Sequence, residues 1–220
     1  MLGRRIAPYS VTACADLLLI VSGIGPNRAR TAAQRLVDMR VGALVSWGTA
    51  GALSDDLNAG DLLLPEQILN TDGVGFPADP RWLAGVRSRL EGNLPLRAGT
   101  LALSHTVLDP ATEKRRLHER TGAVAVDMES GAVAEVAERR GLSMLAIRAI
   151  IDTRRLAVPP FILAAMNGYG DVRFSSLLSG LMREPASLPA VFMLARAWRS
   201  ALATLTAAAA LIGPALLPER

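Results

Sequence analysis

The sequence predicts a single-domain α/β fold over residues 1–220, and three observations carry that expectation. First, Val126-Asp127 is followed by a helix-spaced stretch and then by an apolar run ending at Asp152, so strand, helix and strand follow one another. Second, other apolar runs are closed by small-residue turns and followed by helical spacing, the alternation that builds α/β domains. Third, 220 residues with 50% hydrophobic content suffice to bury one substantial core.

Each element has a local reason. Asp16 to Ser22 is an apolar run closed by Gly23-Ile24-Gly25-Pro26-Asn27, which predicts a strand, a glycine turn and a helix capped by Asn27. Ala29, Ala32, Ala33, Leu36 and Val37 give that helix an apolar face up to Arg40 and Gly42. Val41 to Trp47 reads as a second strand, opening into a small-residue loop, Gly48-Thr49-Ala50-Gly51-Ala52. Leu62 to Pro65 is a third strand, Gly73 to Pro80 a loop, Trp82 to Leu90 a short helix, and Gly99 to Ser104 another strand. Gly131 to Glu138 presents Ala132, Val133, Val136 and Ala137 on one helical face and stops at Arg139-Arg140-Gly141, since cations and a glycine suit a helix C-terminus. Leu142 to Ile151 reads as a strand buried on both faces, which predicts a parallel sheet. Ligands in such sheets sit beyond the carboxyl ends of the strands, where Glu129 and Asp152 are expected.

Residues 161–220 form an apolar helical C-terminal part. Pro185 and Pro189 precede a last helix over about 190–211. The uncharged stretch Ala201 to Leu217 falls short of the ~20 residues of a membrane span, so the expectation is a helix packed on the sheet, with peripheral membrane contact as the alternative.

Composition excludes several classes. The net charge is +4, but the arginines are scattered among 20 acidic residues and aromatics are only 4%, which argues against a nucleic-acid partner. Cys14 is the only cysteine, so no disulfide framework or cysteine zinc site forms within one chain; His105 and His118 match no metal spacing, and no metal is expected. The first residues carry Arg4 and Arg5 but no long apolar stretch before Asp16, so a cleaved signal is not expected and a cytoplasmic location is.

Two small-residue segments could hold an anion. Ser22-Gly23-Ile24-Gly25 lies before a helix N-terminus, where amides and the helix dipole favour negative charge. Position 28 is Arg28 rather than the third glycine of a dinucleotide fingerprint, and no GxxxxGK[ST] sequence occurs. Gly48-Thr49-Ala50-Gly51 allows close backbone approach and adds a hydroxyl; the two segments are expected to end adjacent strands on one edge.

Ser22-Gly23-Ile24-Gly25, Gly48-Thr49-Ala50-Gly51-Ala52-Leu53 with Gly60-Asp61, Asp127-Met128-Glu129-Ser130 and Ile150-Ile151-Asp152 together resemble, in order and approximate spacing, the purine and uridine phosphorylase family, including methylthioadenosine nucleosidases. The wording Ala-Val-Asp-Met-Glu-Ser and the apolar tail are most similar to hopanoid-associated phosphorylases, which remove adenine from adenosylhopane. The resemblance implies an α/β/α sandwich around a mixed central sheet, cleavage of the N-glycosidic bond of a purine nucleoside by phosphorolysis or hydrolysis, no cofactor, phosphate as a co-substrate in the first case, and a homo-oligomer. It gives Met128 and Glu129 to the sugar, the carboxylate accepting the ribose hydroxyls, and Asp152 to the base as proton donor, a role that calls for a raised pKa from burial or nearby negative charge. Ser104, His105, Thr106 and Val107 would lie along the base, and Ser22, Gly23, Gly25, Gly48, Thr49 and Ala50 would hold the phosphate and sugar. In the apolar tail, Phe161, Leu163, Met166, Leu177, Leu178, Leu181 and Met182 would line a wall for a bulky 5′ group or fill the core.

One departure stands out. Family members open with a strand that delivers an acidic residue or arginine to the nucleophile, whereas Met1 to Ala15 contains no Asp or Glu. That favours phosphorolysis, because water needs a base and phosphate arrives anionic. A non-catalytic nucleoside-binding module of the same fold is the alternative.

Overall fold

A computed structural model of the chain describes residues 7–108, 111–153, 160–165, 168 and 174–218. Arg4, Arg5, Arg154, Arg155 and Met166 lie outside the described residues, as do the side chains of Leu163, Leu177 and Leu178.

The chain opens with a hairpin, β1 (Val11–Cys14) and β2 (Leu17–Ile20), paired antiparallel as a separate two-stranded sheet. The run that reads as the first strand of the main sheet therefore lies outside it. Helix α1 (Pro26–Asp38) follows. Its cap is Gly25, not Asn27, because Pro26 already occupies the first helical position, where a missing N–H is harmless.

The main sheet holds β3 (Ala43–Ala52), β4 (Leu62–Leu69), β5 (Gly75–Pro77), β6 (Leu96–Leu103), β7 (Ala125–Asp127) and β8 (Ser143–Asp152), in the order β5-β4-β6-β7-β3-β8. Helix α2 (Pro80–Leu90) joins β5 to β6, α3 (Ala111–Thr121) precedes β7, and α4 (Ser130–Arg139) joins β7 to β8. The sheet is mixed. β4, β6 and β7 run parallel, as do β3 and β8, but the two sets meet antiparallel at β7–β3. An antiparallel pairing of β4 with β8 closes the strands into a ring. The parallel sheet read from the strand, helix and strand around α4 is thus corrected: β7 and β8 run in opposite directions with β3 between them.

Helices cover the sheet on two sides. Ala33 of α1 and Ala134, Val136 and Ala137 of α4 pack with Leu44, Leu63, Ala146 and Ile150; Val86 and Leu90 of α2 pack with Leu62, Leu145, Ile147 and the long C-terminal helix. That helix is α7 (Leu188–Ile212), preceded by α5 (Pro160–Ala165) and α6 (Phe174–Arg183). α7 buries Ala201, Leu205, Ala208 and Ile212, and the Thr204 hydroxyl donates to the Gly60 carbonyl at 2.8 Å. The packed terminal helix read from sequence is present. Its other face exposes Leu188, Phe192, Met193, Trp198 and Leu202.

Candidate active site

The turn between β7 and α4 is fixed from below by a buried charge. Asp127 accepts backbone N–H bonds from Glu129 at 3.3 Å and Ser130 at 3.1 Å, putting a carboxylate at the positive end of α4. Arg148 of β8 donates from Nε to Asp127 at 2.7 Å and from Nη2 to the Ser46 and Ser130 hydroxyls at 2.6 and 2.9 Å. The two charged side chains are 2% and 1% exposed, so the pair is desolvated and must be satisfied internally. Gly48 leaves the space: a Cβ there would lie 3.0 Å from Arg148 Nη1.

Glu129 stands on this platform. Its Oε1 accepts the Gly25 N–H at 2.8 Å, tying the β7–α4 turn to the start of α1. Burial, and then the neighbouring Asp127 charge, push the Glu129 carboxyl above its usual value, against Arg148 and two backbone N–H bonds. At Gly25 the glycine turn thus donates to a carboxyl group of the chain itself. Gly23 and Gly25 adopt φ of 81° and 103°, conformations that favour glycine. The Ser22 hydroxyl donates to the Gly23 carbonyl at 2.9 Å, and the Ile24 N–H to the Gly168 carbonyl at 2.9 Å. Met128 is partly buried beside Glu129 in the turn.

Asp152 ends β8 and is 8% exposed. It is ion-paired with Lys114 of α3, whose Nζ also donates to the Thr153 carbonyl at 3.2 Å. Of the two surroundings expected for the base-side acid, burial is present, and the charged neighbour is a cation rather than an anion. A Cβ on Gly51 would come within 2.8 Å of Asp152 Oδ1, so Gly51 makes room for Asp152 as Gly48 does for Arg148.

The small-residue segment is accordingly corrected from loop to strand: residues 48–52 complete β3 and pair with β8. Strand alternation turns Ala50 towards α1 and α4, while Thr49 shares a face with Ala149 on the α2 and α7 side. Thr49 is therefore not aligned with the glycine turn, and β2 and β3 are not neighbours in one sheet.

The strands that lead to the two carboxylates lie on either side of β3. Gly51 is the ladder partner of Val126 on one side and of Asp152 on the other, so the ends of β7 and β8 are each about 5 Å from β3. After β6, the Ser104 N–H donates to the Asp127 carbonyl at 2.8 Å, and the Ser104 hydroxyl donates to the Thr106 carbonyl at 2.7 Å. His105, Thr106 and Val107 are exposed beyond it. A surface cavity of about 670 Å³ lies elsewhere, between α1 and the end of α4, lined by Arg30, Arg35, Asp38 and Arg139 among others. Among the described residues no cluster of His, Cys, Asp or Glu is arranged to hold a metal.

Sequence reading missed Arg148, Lys114 and the structural part of Asp127. A lone arginine inside a doubly buried apolar run signals a buried partner. Lys114 carries no such signal, because α3 is polar almost throughout.

These features define the class. The chain matches the family model of the phosphorylase superfamily over residues 12–159 and belongs to that superfamily. It is an enzyme of the class that breaks nucleoside N-glycosyl bonds. A 5′-methylthioadenosine/S-adenosylhomocysteine nucleosidase of Mycobacterium bovis is 27% identical over 177 residues, covering 62% of this chain and 69% of that protein. An S-adenosylhomocysteine nucleosidase from Streptococcus pyogenes, solved with 5-methylthiotubericidin, superposes with a TM-score of 0.59 at 23% identity, over 63% of this chain and 67% of that one. A 5′-methylthioadenosine/S-adenosylhomocysteine nucleosidase from S. pneumoniae, solved with a transition-state inhibitor, gives 0.65 at 20% identity, over 89% of this chain and 81% of the other. A futalosine hydrolase mutant of Helicobacter pylori gives 0.55 at 23% identity, over 59% and 67%. The family and the mixed α/β fold read from the four sequence blocks are thereby borne out.

Proposed function

We propose that this enzyme cleaves the N-glycosidic bond of an adenine nucleoside and releases adenine. The observation that supports the reading is that Glu129 follows the end of β7 and Asp152 ends β8, the two strands that flank β3 at Gly51. Glu129, oriented by Gly25 and Asp127, accepts the ribose hydroxyls; a carboxylate can take two at once. Asp152 serves the base, where the departing purine needs a proton. Met128 packs on the sugar, and Ser104, His105, Thr106 and Val107 border the base. The names of the curated and solved relatives support adenine nucleosides.

The nucleophile in this reading is phosphate. Phosphate arrives already anionic and needs only donors, a role this reading gives to the Ser22-Gly23 backbone just before the α1 N-terminus. The 5′ substituent is bulky and apolar, as in adenosylhopane. Phe161 and Leu181 are partly buried on α5 and α6, and Met182 is 78% exposed. α7 supports contact with a cytoplasmic membrane surface: its exposed Phe192, Trp198 and Leu202 lie beside Arg196 and Arg199, with no acidic residue from 185 to 218. No helix among the described residues is long and apolar enough to cross a membrane. The active form is a homo-oligomer.

The test is chromatography of adenine from adenosylhopane and from adenosine, with and without phosphate, with anionic vesicles in a parallel sedimentation assay. Adenine release that requires phosphate supports the reading; release without phosphate assigns hydrolysis. Binding of nucleoside with no adenine formed would leave a binding module. Failure to sediment with vesicles would remove the membrane contact.

A further inference from the structure

Lys114 is the only lysine in the chain, and it is buried, 4% exposed, on a helix whose other described residues are half-buried or exposed. Burying an ammonium is expensive unless it is paired and hydrogen-bonded, and arginine, less strongly hydrated, is the usual choice for buried ion pairs. The chain has 24 basic residues and uses arginine for its structural pairs with Glu135, Asp61 and Asp127. Only at Asp152 does it use lysine. Lysine differs from arginine in one relevant way: a buried ammonium can give up its proton, and a guanidinium does not.

We infer that Lys114 is a positioning residue that acts through Asp152 by supplying the proton the leaving base takes. The inference rests on the assignment of Asp152 to the base. When the C1′–N9 bond breaks, its electron pair passes into the purine ring. Lys114 Nζ passes a proton to the Asp152 carboxylate as N7 of the purine takes one from it, so the ion pair ends as a carboxylate and an amine. The ammonium becomes a neutral amine, which is reprotonated from water once adenine leaves. The Thr153 carbonyl, accepting from Nζ at 3.2 Å, holds the amine in place through both states. Gly51, where a Cβ would come within 2.8 Å of Asp152 Oδ1, lets the carboxylate lie close against β3.

The test compares a leaving group that needs a proton with one that does not. Wild type, Lys114→Met, Lys114→Arg and Asp152→Asn are assayed on adenosine with phosphate and on 4-nitrophenyl β-riboside with phosphate, whose phenolate departs unprotonated. Both Lys114 variants are expected to lose about 10²- to 10³-fold in kcat on adenosine, within the range of a general-acid contribution, and less than about threefold on the nitrophenyl riboside. Arginine keeps the charge, so full activity of Lys114→Arg on adenosine would show that charge balance suffices and would overturn the inference. Equal losses on both substrates would overturn it as well, by marking Lys114 as structural. If Asp152→Asn loses equally on both substrates, the assignment of Asp152 itself fails; if it is selective and the lysine variants are not, only the inference about Lys114 fails.

Discussion

Replacing Arg148 by methionine should be among the most damaging single changes away from any contact with substrate. The guanidinium makes its charge-assisted bond to Asp127 at 2.7 Å and two bonds to serine hydroxyls, with both ionic side chains almost fully buried. Methionine fills similar space but leaves Asp127 desolvated with only hydroxyl and amide donors. Removing one partner of a buried pair typically costs about 3–5 kcal/mol. For a domain of this size a loss of that magnitude lowers Tm by roughly 6–20 °C, since each kcal/mol moves Tm by about 2–4 °C. Circular dichroism melts at pH 7 read the loss directly. Because Asp127 also holds the Glu129 and Ser130 amides, surviving Arg148→Met enzyme should show a raised KM for nucleoside. The double variant Asp127→Leu, Arg148→Met should regain much of the stability, as no lone buried charge remains. A single-variant loss below about 1 kcal/mol, or a double variant no better than the single, would refute the reasoning.

Three further outcomes follow from the same geometry. Glu129 holds its proton to a higher pH in the folded enzyme than its ordinary 4.5, because of burial and Asp127, so the folded state binds more protons between those two values. Its contribution to stability is then fully present below about 4.5 and lost as pH rises through the folded value; Glu129→Gln should be more stable than wild type at pH 7.5 and lose that advantage near pH 4.5 in urea unfolding, while failing to distinguish adenosine from 2′-deoxyadenosine. Gly51→Ala should lower kcat on adenosine at least tenfold with little change in Tm, because a Cβ 2.8 Å from Asp152 Oδ1 moves that carboxylate; unchanged kcat would mean that its position is not critical. Asp79→Ala should cost about 1 kcal/mol at pH 7, since Asp79 caps α2 by accepting the Trp82 and Arg81 amides at 3.0 Å. Those amides, Trp82's foremost, and the Ser143 hydroxyl hold Asp79 below its ordinary value, so the stability it adds is present above about pH 3.8 and lost as pH falls through the lower, folded value; acid titration of the melts reads this.

Much of the fold was legible where side-chain period and local stop signals agree. α4 and β8 fall within a residue or two of their expected limits, because the apolar face of one and the unbroken run of the other leave little choice. The segment 48–52 was misread for a physical reason: glycine, threonine and alanine are what a loop would contain, but here they are small because Arg148 and Asp152 lean across the strand. Strand direction was not legible either. Whether β7 runs with or against β8 depends on a ring closed through β4, where Leu62 pairs with Ala149 and Leu63 with Arg148, contacts between distant segments that no local pattern encodes. α3 went unread because it carries no apolar stripe, and its one buried side chain is a lysine. Of the candidate site, Glu129 and Asp152 were visible as carboxylates after strands; the groups that hold them, Gly25, Asp127, Arg148 and Lys114, act largely through folded contacts between distant segments.

The most direct measurement is a crystal structure of the enzyme with an uncleavable adenosine analogue and phosphate. The account predicts the ribose hydroxyls within hydrogen-bond distance of the Glu129 carboxylate, the purine N7 facing Asp152, and an anion against Ser22-Gly23. A nucleoside bound away from either carboxylate, or bound with Glu129 touching the base and Asp152 the sugar, would contradict it.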